Sequence, residues 1–132
     1  MRELPRGWPG EVVAMDLCGP LPRTKEGNIF ILVLIDLFSR WVELVPLRKA
    51  EASDVILVLR DVWMPRHGVP AVLLSDNGPQ FTAGIVRGFC EMIGARKIYS
   101  TPYYPQGSSV VESYMRSLKK GLAALVSEDG RN

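Results

Sequence analysis

Histidine and cysteine are scarce in this chain of 132 residues: there is one histidine, His67, and two cysteines, Cys18 and Cys90, with no Cys-x-x-Cys pair. That scarcity argues against a zinc site, and both cysteines read as reduced, buried thiols. Long apolar runs are missing too. The longest, Ile29 to Ile35, falls far short of the ~18 residues needed to span a bilayer, and the N-terminal MRELPRGWPG has no apolar stretch of signal-peptide length. The expectation is a soluble, intracellular domain without a membrane partner. Net charge is only +2, too small to argue for nucleic acid by itself. Repeats, linkers and low-complexity segments are absent, so residues 1–132 read as a single domain. With 47% hydrophobic and 23% charged residues, it can build a core of ordinary size.

What charge there is gathers in one region. Between Arg96 and Gly121 five basic residues (Arg96, Lys97, Arg116, Lys119, Lys120) face a single acidic one, Glu112. Inside that region, Thr101 to Ser109 is crowded with Pro, Gly, Tyr and Ser, types that resist both helix and ladder, and a mobile loop is expected. From Val110 onward Val110, Val111, Tyr114, Met115, Leu118, Leu122 and Leu125 recur three and four apart, the spacing of one buried helical stripe, with Ser108 or Ser109 able to cap the start. Glu112, Arg116 and Lys119 then share a face of that helix.

Upstream, Glu11 to Leu17 reads as a strand with Val13 and Met15 on one side and Ala14 and Asp16 on the other. Ile29 to Phe38 has the continuous apolar pattern of a strand buried on both faces. Trp41 to Leu47 alternates as a third, antiparallel strand, with Ser39 and Arg40 in the turn and Pro46 marking an edge. The period then changes: Ala52 to Arg66 is helically spaced behind a Ser53 cap and ended by Gly68 and Pro70. Ala71 to Ser75 is a short strand, Thr82 to Ile93 a helix closed by Gly94, and Lys97 to Ser100 a last strand. The order βββ-α-β-α-β-loop-α describes an α/β domain with a mixed sheet, its antiparallel part first and helices on both faces.

Ligand chemistry in such folds collects at strand ends. Asp16 ends the first strand and Asp76 follows the strand Val72-Leu73-Leu74-Ser75; neighbouring strands in this order bring those ends together, and the loop-borne helix can carry Glu112 over them. Asp76 also fits an ordinary Asp-Asn-Gly turn, and Asp16 an exposed strand position. Three converging carboxylates repel unless cations neutralise them, and oxygen-only donors suit Mg²⁺ or Mn²⁺, two of which serve phosphoryl transfer. Arg116 and Lys119 would hold substrate phosphates.

These residues resemble a known family, the catalytic core of retroviral and LTR-retrotransposon (Ty3/gypsy-like) integrases, whose signature is two Asp and a Glu with 35 residues between the second and third. Asp76 and Glu112 have that separation. The likeness extends over Asp16 with Gly19-Pro20-Leu21-Pro22, Ile35-Asp36 with Phe38-Ser39-Arg40-Trp41, Ser75 to Phe81, Pro105-Gln106 and Val111-Glu112. It implies a ribonuclease-H-like fold, a five-stranded mixed sheet flanked by helices. It also implies a metal-dependent polynucleotidyl transferase for DNA 3′-end processing and strand transfer, with Asp16, Asp76 and Glu112 on two Mg²⁺ or Mn²⁺ ions. By the same resemblance Tyr103, Ser108, Arg116 and Lys119 touch DNA, the core is a homodimer excised from a longer protein, and the work is nuclear. Ser108 and Ser109 stand where relatives often have a polar amide or Asn and then Gly, and Met115 replaces a usual Asn. Those departures motivate an alternative, a host-captured core kept as a nucleic-acid-binding or dimerising module. A ribonuclease H proper fits less well, since its usual set is four acids.

Other polar residues have plainer roles. Asp36 is expected to bond local backbone, and Glu43, Asp54 and Asp61 to sit on solvated faces. His67 is expected to cap its helix end, and Trp41 and Trp63 to be core or subunit contacts.

Overall fold

The computed structural model describes residues 7–20, 30–99, 113, 115–122 and 124. Five strands form one sheet: β1 (Val12–Cys18), β2 (Phe30–Asp36), β3 (Val42–Leu47), β4 (Val72–Ser75) and β5 (Arg96–Tyr99), in the spatial order β3-β2-β1-β4-β5. β1 pairs antiparallel with β2, and β2 with β3, whereas β1–β4 and β4–β5 are parallel. The three apolar runs at the start of the chain thus make a meander, and the helical stretches supply the crossovers that parallel pairing requires.

Side-chain alternation divides the core in two. Val13, Met15, Leu32, Leu34 and Leu73 point to one face, where they meet Val55, Leu59, Trp63, Phe81, Val86 and Cys90 from the intervening helices. Val12, Ala14, Val33, Ile35, Val72 and Leu74 point to the other, where Met115, Leu118 and Leu122 pack on them. Residues 113, 115–122 and 124 are helical, so the described members of the C-terminal stripe lie where their spacing put them. Among the described residues no helix is long and apolar enough to cross a membrane.

The first helix, α1 (Ala52–Val58), runs on through a π-helical turn (Leu59–Trp63) into α2 (Met64–His67). Its cap differs from expectation. Glu51 is the N-cap, its backbone N–H donating to Asp54 Oδ2 at 3.1 Å, while Ser53 already lies inside the first turn. Asp54 is therefore part of a capping arrangement and not simply a solvated acid. The next helix is also interrupted. Ala83 is extended (φ −59°, ψ 148°), dividing the segment into α3 (Pro79–Thr82), which starts earlier than its apolar period suggests because Pro79 occupies its first turn, and α4 (Gly84–Ile93). Gly94 closes α4 in the left-handed region, as its sequence position implied.

Two polar residues organise the sheet's outer half. Asp36 is buried and accepts from the backbone N–H of Phe38 (3.0 Å) and from Ser39 Oγ (2.8 Å), the expected local role, and also from Gly10 N–H at 2.9 Å, tying down the approach to β1. Glu43 is not on a solvated face. It is 9% exposed and takes hydrogen bonds from Trp41 Nε1 (2.9 Å) and Arg66 (2.7 Å) and a contact from His67 Nε2 (3.0 Å). His67 likewise turns away from its helix end, joining this carboxylate and stacking on Trp63 at 4.1 Å between ring centroids. The reason is that α2 ends over the outer strand, where a buried carboxylate outcompetes helix-end carbonyls for the ring. Trp63 is fully buried, whereas Trp41 is 56% exposed and belongs to the rim of this cluster.

Burial raises the Glu43 carboxyl, but the hydrogen bonds of His67 and Trp41 and the Arg66 charge outweigh it and hold the group below its ordinary value of 4.5. A depressed folded value means stabilisation that is present above the unfolded pKa and lost as pH falls through the folded one. Glu43→Ala is expected to lose about 1–3 kcal/mol in urea unfolding at neutral pH, because three donors lose their acceptor. Glu43→Gln should also flatten the fall in stability on acidification below the ordinary carboxylate range. Asp61→Ala, which removes only an exposed pair with Arg60, should leave the urea midpoint at the wild-type value.

Candidate active site

Parallel pairing aligns β1 with β4 as Val12↔Val72, Val13↔Leu73 and Ala14↔Leu74. Continued two residues further, the register sets Asp16 opposite Asp76, each on the parity of the face that receives the C-terminal helix. The strand ends therefore juxtapose two of the three carboxylates. Asp16 is half-buried; its Oδ1 accepts from Leu17 N–H at 2.7 Å, and its Oδ2 lies 3.3 Å from the Lys119 ammonium on the C-terminal helix. Asp76 is exposed just past β4, its Oδ1 accepting from Gly78 N–H at 2.9 Å. A Cβ at position 78 would stand 2.5 Å from the Gln80 amide nitrogen and 3.2 Å from Asp76 Oδ1, so any side chain there would displace the Gln80 amide and crowd the Asp76 carboxylate.

Glu112, Tyr103 and Ser108 lie outside the described residues. Of the other expected DNA contacts, Arg116 is exposed on the C-terminal helix and Lys119 sits beside Asp16. The Lys119 pair is partly solvated, so its worth is ~0–1 kcal/mol, and its meaning is electrostatic: the Asp16 oxygens already face a cation. Among the described residues no three His, Cys, Asp or Glu side chains gather as a metal site. Two carboxylates at adjacent strand ends, one of them in contact with an ammonium, are nonetheless a donor set of the kind hard divalent cations take. Met115 is buried in the core against the face that carries Val12, Ala14, Val72 and Leu74, which accounts for an apolar side chain at its position. Cys18 and Cys90 are free and buried, and burial pushes both thiols up, as expected of inert cysteines.

One residue escaped notice in the sequence except as a count of charge. Lys97 of β5 is half-buried, and its Nζ donates to Ser75 Oγ at 2.5 Å and to the Ile98 carbonyl at 3.2 Å, with the Tyr99 ring 3.9 Å away. Burial pushes its pKa down to about 8, with Cys90 and Asp76 pulling the other way. The available signal was the alternation Lys97-Ile98-Tyr99 in a strand whose neighbours are apolar, which places the lysine on a covered face.

Comparison with known proteins supplies the class. Residues 8–105 match the Integrase core domain family, and the chain belongs to that family. It is 39% identical over 106 residues to the Gag-Pol polyprotein of Woolly monkey sarcoma virus, covering 80% of this chain and 6% of that polyprotein. To the Gag-Pol polyprotein of Avian reticuloendotheliosis virus it is 38% identical over 124 residues, 92% of this chain and 10% of the other. The chain thus spans only a small share of these relatives. The crystal structure of the catalytic core domain of BIV integrase superposes with a TM-score of 0.68 at 32% identity, covering 90% of this chain and 73% of that one. The HTLV-2 integrase catalytic core domain, solved in complex with magnesium in a trimeric form, gives 0.63 at 21% identity over 75% of this chain and 63% of its own. The fold is ribonuclease-H-like, with the five-stranded mixed sheet shared by retroviral integrase cores.

The lowered Lys97 pKa has a signed consequence. Between about 8 and its ordinary 10.5 the unfolded chain keeps a proton that the folded chain has lost, so this group makes stability rise with pH across that window. The raised thiols act in the opposite direction. The difference in unfolding free energy between wild type and Lys97→Met should therefore shift in favour of wild type as pH is taken from about 8 to 10.5, and stay level below about 8.

Proposed function

We propose that this chain is the catalytic core of a metal-dependent polynucleotidyl transferase that processes DNA 3′ ends and joins them to target DNA. The observation that supports it is the β1–β4 register, which pairs Ala14 with Leu74 two residues before Asp16 and Asp76 in a chain of the integrase core family. Glu112 completes the donor set. Its support is position: the helix is formed from residue 113, and Lys119, seven residues past Glu112, already reaches Asp16.

Asp16, Asp76 and Glu112 would hold two Mg²⁺ or Mn²⁺ ions, which when bound supply activation of an attacking oxygen and stabilisation of a leaving one. The magnesium complex of the HTLV-2 core supports a divalent requirement. The protein's own part is placement and counter-charge. Asp16 is fixed by Leu17 N–H and Asp76 by Gly78 N–H, so both carboxylates present a set oxygen without reorganising. Lys119, already beside Asp16, stands where a phosphate entering the site meets positive charge, and exposed Arg116 extends that surface along the same helix. Tyr103 and Ser108 from the preceding segment would add DNA contacts. No covalent intermediate on the protein is needed, because water or a DNA 3′ hydroxyl serves as the nucleophile. DNA is the partner, a homodimer the assembly and the nucleus the place of work; an integrase intasome among the structural neighbours supports the first of these.

The test is Mn²⁺-dependent disintegration of a branched DNA by wild type, Asp16→Asn, Asp76→Asn and Glu112→Gln. Each substitution should lower the rate at least ~100-fold while leaving thermal unfolding near wild type, as removal of groups acting in one unit does. Full activity in Glu112→Gln would reject the three-carboxylate assignment. Lys119→Met should instead weaken DNA binding and lessen its salt dependence by about one ion.

A further inference from the structure

The face of the sheet opposite the C-terminal helix holds a cation that the chemistry proposed above does not use. Lys97 and Tyr99 project together from β5, next to the end of β4, where Ser75 pairs with Tyr99 in the ladder. The Lys97 ammonium donates to Ser75 Oγ at 2.5 Å, and Ser75 Oγ in turn donates to the Asp76 carbonyl at 3.0 Å. Tyr99 Oη donates to the Phe81 carbonyl at 3.2 Å, in α3 on the far side of the same turn. The ammonium lies 3.9 Å from the Tyr99 ring centroid, so the two side chains also hold each other. Between these two anchorages runs Asp76-Asn77-Gly78-Pro79-Gln80, the turn that presents the Asp76 carboxylate.

A lysine is an expensive choice for this place. Its ammonium is half-buried and, among the described residues, has no carboxylate within ion-pair distance, only a hydroxyl, a carbonyl and a ring. An apolar side chain would suit the neighbouring core better, and the lowered proton affinity of the group registers that cost. What the ammonium supplies that an apolar chain cannot is a donor to Ser75, beside its weaker contacts with the Ile98 carbonyl and the Tyr99 ring. Ser75 is itself 3% exposed and has its own proton committed to Asp76, so its lone pairs require a donor from elsewhere.

We infer that Lys97 and Tyr99 form a brace that fixes the Asp76 turn from behind, making Lys97 a positioning residue for divalent-cation binding at Asp76. This rests on the functional assignment made above, in which Asp76 is a metal ligand. Removing supporting groups of this kind weakens metal binding by about 10–100-fold in other sites, which sets the scale. The sign is diagnostic. Taking away a nearby positive charge would by itself strengthen the binding of a cation, so only loss of positioning can make Lys97→Met bind more weakly.

The experiment is a titration with Mn²⁺, followed by the electron paramagnetic resonance signal of the free ion, on wild type, Lys97→Met, Lys97→Arg and Ser75→Ala. Thermal unfolding and amide hydrogen exchange are measured on the same metal-free samples. Lys97→Met and Ser75→Ala should weaken Mn²⁺ binding about tenfold and Lys97→Arg less, with Gly78 and Phe81 amides exchanging faster and the melting temperature of Lys97→Met no lower than wild type. Unchanged or tighter Mn²⁺ binding in Lys97→Met overturns the brace, as does weakening that merely tracks a lowered melting temperature. A wild type that takes up no Mn²⁺ would reject the metal assignment of Asp76 instead; the brace is then judged by the Gly78 and Phe81 exchange rates, and unaltered rates in Lys97→Met overturn it.

Discussion

The pairing of β1 with β4 is the contact on which the rest depends. It is a parallel pairing between segments far apart in the sequence, closed by a crossover that runs through β2, β3 and the α1–α2 helix. Its residues are apolar on both faces, with Val12, Val13, Ala14, Val72, Leu73 and Leu74 all buried. Shifting this pairing by one residue would exchange the two cores and carry Asp16 to the wrong face, so hydrophobic burial specifies the register, and the register specifies the site. The chemistry at the strand ends thereby inherits its geometry from side chains that take no part in it.

Bringing two carboxylates to adjacent strand ends carries an electrostatic penalty that cations must offset. The molecule meets each carboxylate differently. Lys119 approaches Asp16 directly, from the helix on the front of the sheet and in partial contact with solvent. Lys97 acts on Asp76 from the back, through Ser75 and the backbone carbonyl. The first arrangement is open to exchange with incoming charge, whereas the second is built into the sheet.

Much of this was legible in the chain before any coordinates. The strands declared themselves because their apolar runs are long and bounded by turn residues, and the order of elements implied neighbouring ends for Asp16 and Asp76. What could not be read was side-chain traffic between distant segments. Glu43 looks solvated because it is the one charged residue of an outer strand; only the fold brings Arg66 and His67 across it. His67 near a glycine suggests a helix cap until Trp63 and Glu43 are seen to enclose it. The break at Ala83 was hidden because Pro79 and Phe81 fit either one longer helix or two short ones. Lys97 enters the sequence reading only as one charge among five, because the alternation Lys97-Ile98-Tyr99 hints at a covered face without showing what covers it.

The outer strand carries one further feature. Pairing of β2 with β3 sets Pro46 opposite Ile31, and since Asp36 N–H bonds the Trp41 carbonyl, the odd-numbered residues of β3 face β2 while Pro46 directs its nitrogen outward. The proline therefore forfeits no bond within the sheet, yet it leaves a gap among the donors that a visiting strand would seek. Growth of the sheet by edge-to-edge addition is disfavoured at that point. A second strand laid along β3 would have to step around that ring, which makes this edge a poorer template for fibrils.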